Sequence, residues 1–162
     1  NLRHIFAISP VIDPWRASPM VDKSPLIRRY FYKKWTTSLA KKQTAFPDLY
    51  DFSDMLEIDT VMGITEKFLP LYTEFDTPED YFTFYAVEHA YLKGCPIPIS
   101  LIMAMDDPVI PANDVKTLLP DASLTMILHD HGGHNGFFRS LKGPTWYDEY
   151  IEKVIAVDTG KL

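Results

Sequence analysis

Ile97-Pro98-Ile99-Ser100-Leu101-Ile102-Met103-Ala104-Met105, ended by Asp106-Asp107-Pro108, is the stretch that sets the fold class. A near-continuous apolar run of this length suits a strand covered on both faces, as in a parallel sheet between helices. Pro98 stands near its start, where a missing ladder donor is tolerable. Two shorter runs match it: His4-Ile5-Phe6-Ala7-Ile8-Ser9, closed by Pro10, and Leu124 to Leu128, ended by a polar turn containing glycine. Asn113 to Leu119 supplies the short crossover that parallel pairing of the last two strands requires. An α/β fold with three parallel strands is therefore expected.

Between the first two runs, from about Pro14 to Gly94, no strand-like period occurs. Three helical patches are predicted there: Leu26 to Ala45, Ser53 to Leu69, and Pro78 to Lys93. The last has the clearest start. Thr77 can cap, Pro78 suits the first helical position, and Glu79 and Asp80 lie at the positive end of the helix dipole. A closing helix is predicted over Trp146 to Val157. The expected division is a core strand and turn in 1–14, a helical insertion in 15–94, and core strands and helices in 95–162. An insertion of about 80 residues is long for a bare crossover, and such segments usually bind or cover something. Most of its aromatic side chains are expected to be packing, with a few lining an apolar pocket.

The chain has 162 residues, 46% of them apolar, 14% aromatic and 23% charged. This is enough for one sizeable core, and it excludes a disordered tail, a coiled coil and a disulfide-stapled miniprotein. Cys95 has no second cysteine to pair with, which points to a reducing compartment, and the expected location is the cytoplasm. No apolar run approaches the roughly 20 residues of a membrane span. The sequence opens on Asn rather than Met, so a fragment or processed product is expected.

Charge is unevenly placed. Residues 1–42 carry nine basic and two acidic residues, a surplus of +7, while residues 43–162 sum to −13. An acidic whole with one basic segment argues against nucleic-acid binding, which neutralises phosphates over a broad face. Arg28, Arg29, Lys33, Lys34, Lys41 and Lys42, interleaved with Tyr30, Tyr32 and Trp35, read either as a solvated helix face or as a membrane-surface contact.

The turns after the last two strands carry the chemistry. After the second comes Asp106-Asp107-Pro108-Val109-Ile110-Pro111, and after the third His129-Asp130-His131-Gly132-Gly133-His134-Asn135-Gly136-Phe137. In an open parallel sheet, catalytic groups gather at the carboxyl ends of strands. An acid and a histidine so placed form the orienting half of a nucleophilic triad: the carboxylate holds the imidazole tautomer, and the imidazole takes a proton from the nucleophile. Gly132 and Gly133 allow the sharp turn that brings His134 over the sheet edge. The competing readings are a glycine-rich turn with a structural histidine, and a zinc site built from His129, His131 and His134, the first two sharing a strand face.

Together, Asp-Asp-Pro-Val-Ile-Pro and Gly-Gly-His-x-Gly-Phe resemble the α/β-hydrolase superfamily, most of all its YheT-like branch of carboxylesterases. Ile8-Ser9-Pro10-Val11-Ile12-Asp13-Pro14, Arg28-Arg29-Tyr30-Phe31, the stretch Ala45 to Asp54, and Thr65-Glu66 agree with that branch. The resemblance runs from about His4 to Trp146. It implies His134 as general base and Asp107 as the acid, with Asp106 the second candidate for that role and otherwise a residue that helps the turn. It implies no cofactor and no metal, a small ester or lipid-like substrate, and a helical cap in the insertion. The family's nucleophile is a serine in G-x-S-x-G, and none of the seven glycines frames such a motif. Ser9 follows a strand but precedes Pro10 and lacks flanking glycines, so it is rejected as nucleophile. By family topology the chain corresponds to the carboxyl-terminal half of the fold, holding two triad members of three and of low activity alone. A truncated, inactive remnant or a binding module is the alternative.

Overall fold

The computed structural model describes residues 2–87, 89–118, 122–140 and 142–158. The chain forms two compact units, one from residues 1–12 and 87–162, the other from residues 13–86.

The first unit is built on a three-stranded parallel sheet in the order β1 (Ile5–Ile8), β2 (Ile99–Ala104), β3 (Leu124–His129). Ile5 stands opposite Ile99 and Ile8 opposite Ile102; on the other side Ile99 faces Leu124 and Ala104 faces His129. All six residues of β2 are buried, as a central strand with no polar face must be. The crossover between β2 and β3 is a short 3-10 helix, Ala112–Thr117; Leu119, the last residue of the expected crossover, lies outside the described residues. Ile102, Ala104 and Phe137 form the centre of the core, with Ile8, Ile127, Trp146, Tyr147 and Tyr150 packed on it. The last three belong to the closing helix, Trp146–Asp158, which starts where Thr145 and Asp148 cap each other: Thr145 Oγ1 donates to Asp148 Oδ2 at 2.7 Å, and the Asp148 N–H returns to Thr145 Oγ1 at 3.3 Å. From this helix the Tyr150 hydroxyl reaches fully buried Ser100 at 2.9 Å, and Ser100 meets His4 Nε2 at 2.9 Å.

The second unit contains α1 (Pro14–Lys23), α2 (Pro25–Ala45), a 3-10 turn (Ser53–Met55), α3 (Val61–Tyr72) and α4 (Pro78–Tyr85). Its core is Phe52, Met55 and Ile64, ringed by Tyr32, Leu39, Tyr50, Ile58, Phe68 and Tyr72. Most of its aromatics pack, and Trp35, Phe68 and Tyr81 line an apolar cavity of about 150 Å³ with Leu39 and Leu69.

Three details depart from the expected helices. The helix α1 was not among the predicted patches, although Asp13 caps it by accepting the Arg16 N–H at 3.2 Å and Pro14 opens it. The patch 53–69 is two elements, because Thr60 is extended and caps α3, its hydroxyl accepting the Gly63 N–H. The patch 78–93 also divides. Thr77 caps α4 as expected, but Ala86 turns extended and the Val87 N–H donates instead to Ile12 O at 2.8 Å, leaving a separate short helix, His89–Leu92. Among the described residues no helix is long and apolar enough to cross a membrane.

Candidate active site

Three turns meet at the carboxyl edge of the sheet: Ser9-Pro10 after β1, Asp106-Asp107 after β2, and 130–137 after β3. Asp107 is fixed locally. Its Oδ1 accepts the N–H groups of Val109 at 2.8 Å and Ile110 at 3.0 Å, an Asx turn that Pro108 favours by presetting its own φ. Its Oδ2 lies 3.1 Å from His134 Nδ1, and the Asp107 side chain is only 1% exposed against 31% for His134. With a carboxylate as acceptor, Nδ1 carries the proton and Nε2 is left as the basic nitrogen. The pair therefore has a buried orienting acid and an accessible imidazole.

Asp106 points the other way. Its Oδ1 accepts the N–H groups of Gly132 and Gly133, each at 2.8 Å, and its Oδ2 lies 3.5 Å from His131 Nδ1. The Gly133 N–H above all, then the Gly132 N–H and the His131 side chain, hold its carboxyl below the usual carboxylate range. So the two adjacent aspartates divide the work: Asp107 faces His134, and Asp106 ties the histidine turn to the acid turn.

The glycines have separate reasons. Gly133 has a φ of +57°, and a Cβ on Gly132 would sit 2.7 Å from the Phe137 ring and 3.0 Å from the Ala104 Cβ. Phe137, 4% exposed, is the plug that fills this space, and its N–H donates to Gly132 O at 2.9 Å. Among the described non-glycine residues, positive φ occurs at Ser9 (+44°), Asn135 (+63°) and Phe137 (+47°), all in these turns. Sequence reasoning missed this concentration of backbone strain, and it missed that Ser9 Oγ accepts the Asn135 N–H at 3.3 Å across 126 positions. No local signal encodes either.

The strand face expected to be shared by His129 and His131 is not observed: β3 ends at His129, so His131 lies in the turn. The His129 ring packs edge-on against Trp146 at 4.2 Å and Phe137 at 5.6 Å. His131 is 89% exposed beside Asp106, and His134 is taken by Asp107. Among the described residues no group of three or more His, Cys, Asp or Glu side chains is arranged to hold a metal.

Comparison of the chain with protein-family models, with curated proteins and with solved structures finds no match in any of the three.

Proposed function

We propose that this chain carries the acid and the base of a serine carboxylic-ester hydrolase of the α/β-hydrolase fold, as its carboxyl-terminal half. The observation that carries the proposal is the Asp107–His134 pair, 3.1 Å apart with the acid buried, on turns after adjacent parallel strands. The chain order of acid before histidine matches the triad order of that fold. Left-handed backbone, which among the described non-glycine residues occurs in these same turns, supports a functional edge.

In this reaction a serine hydroxyl from outside these residues attacks the ester carbonyl. His134 Nε2 takes the hydroxyl proton as the new C–O bond forms, and Asp107 stabilises the resulting imidazolium. The tetrahedral oxyanion is held by backbone donors that also lie outside this chain. Collapse expels the alcohol, which receives the proton from His134 and leaves an acyl-serine. Water then attacks the acyl carbon, giving up its proton to His134, and the serine departs with that proton. Ester and water become acid and alcohol, and the enzyme is regenerated. A medium-chain or lipid-like ester is the proposed substrate class, and the cytoplasm, which suits lone Cys95, the proposed location.

The test is labelling of the native protein with a fluorophosphonate, read by peptide mass, beside ester turnover. A labelled serine outside the 162 residues is expected, with turnover falling on the order of 10⁴-fold in Asp107→Asn because the wrong imidazole tautomer is favoured. Absence of label and turnover in the native protein would overturn the assignment.

A second reading concerns α2. It carries six Lys or Arg and no acid over 21 residues, and none of its residues is buried. Leu26 and Tyr30 are 83% and 59% exposed, and Tyr30 lies beside Lys33, Lys34 and Lys41. Cations flanking exposed apolar groups suit an anionic lipid surface. This is a proposed partner, compatible with a lipid-like ester.

A further inference from the structure

The turn that carries His134 is gripped from two sides by side chains that do not touch the imidazole. On one side Asp106 Oδ1 accepts the Gly132 and Gly133 N–H groups at 2.8 Å each; on the other Ser9 Oγ accepts the Asn135 N–H at 3.3 Å. These amides belong to the residues flanking His134: two before it and one after it. The anchors come from the ends of β1 and β2, so the turn after β3 is fastened to the ends of the other two strands of the sheet. Gly133 and Asn135 have left-handed backbone, which aims successive N–H groups outward and leaves them in need of acceptors. Ser9 is itself 5% exposed and left-handed, a conformation that a serine adopts only at a cost.

We infer that Ser9 and Asp106 are positioning residues, whose oxygens lock the flanks of His134 so that its ring stays against Asp107. Ser9 acts here as an acceptor for a backbone amide and not as a nucleophile. The role in turnover rests on the hydrolase proposal; the grip on the turn does not.

The experiment is amide hydrogen exchange by NMR on the native protein, beside ester kinetics. Ser9→Gly keeps the backbone, since glycine takes left-handed φ freely, but deletes the hydroxyl. It is expected to speed exchange at Asn135 by about tenfold while Gly132 and Gly133 keep their rates, as loss of one hydrogen bond predicts. Asp106→Ala should do the reverse, and Asp106→Asn, which retains an acceptor oxygen, should restore protection. In both Ser9→Gly and Asp106→Ala, kcat should fall by up to about 100-fold with KM little changed, the signature of a displaced base. Unchanged exchange in either variant overturns the grip. Faster exchange with an unchanged kcat overturns the positioning role, as does a fluorophosphonate label on Ser9 itself. A native protein without turnover removes the hydrolase proposal, while the exchange rates still decide the grip.

Discussion

Asp106 and Asp107 are chemically identical neighbours, and the fold gives them different tasks. The backbone N–H of Gly133, with that of Gly132 and the His131 side chain, favours the charged form of Asp106. A carboxyl whose folded value lies below its unfolded value of about 3.9 lends stability above that pH, and the contribution disappears as pH falls through the folded value. The grip on the histidine turn is therefore present at neutral pH and loosens in acid, below about pH 4. The amide shifts of Gly132 and Gly133 should move together over that range, and the movement should vanish in Asp106→Asn. Flat shifts in the wild type would show that Asp106 does not hold these amides. The doublet was legible in the sequence as an acid turn, and its division was not. Which aspartate faces the histidine depends on the Asx turn of Asp107 with Val109 and Ile110, and on the approach of Gly132 from a different strand end.

At the scale of elements, caps decided the boundaries. Thr77-Pro78-Glu79-Asp80 was readable as a helix start, and its hydroxyl accepts the Asp80 N–H as that signature requires. The start of α3 also depends on a residue 39 positions away. Asp22, in α1, accepts the Val61 N–H at 2.9 Å through Oδ1 and the Met62 N–H at 3.0 Å through Oδ2. These are first-turn donors with no partner inside the helix, and a carboxylate there also complements the dipole. Asp22→Ala should cost about 1–2 kcal/mol in a urea melt, with Asp22→Asn retaining part of it. A midpoint unchanged by Asp22→Ala would mean that Thr60 alone caps the helix. The Thr60 cap is as local as that of Thr77 and was overlooked when 53–69 read as one helix, whereas the Asp22 cap is distant in sequence and no spacing shows it.

At the scale of the molecule the dominant feature is charge asymmetry. All of the basic surplus of α2 sits on one helix in a chain whose net charge is −6. If α2 meets anionic lipid, each Lys or Arg near the surface contributes about 1 kcal/mol, and that attraction is screened within a Debye length. The native protein should co-float with vesicles containing phosphatidylserine, release as salt rises to about 0.5 M, and ignore neutral phosphatidylcholine vesicles. Lys33→Glu with Lys34→Glu and Lys41→Glu should abolish the binding; exposed on the helix, they can change without touching the core of Phe52, Met55 and Ile64. Binding that survives the triple substitution would place the contact elsewhere or remove it.

The sequence by itself determined the class and the edge. Runs without polar alternation are legible as strands of a parallel sheet, and β1, β2 and β3 form one, but only β2 is buried along its length, while β1 is half-buried and Thr125 and Leu128 of β3 are exposed. Pro, Gly and Asp at their ends placed the acid and histidine turns at one edge, because parallel strands bring like ends together. Tertiary structure alone decided which side chain meets which: Asp107 with His134, Asp106 with Gly132 and Gly133, Ser9 with Asn135, Asp22 with α3. It also packs the His129 ring edge-on against Trp146. Burial patterning is a property of neighbours along the chain and is written in their order. A hydrogen bond across tens of residues depends on distances of a few tenths of an ångström, and these exist only once the sheet and its turns have closed.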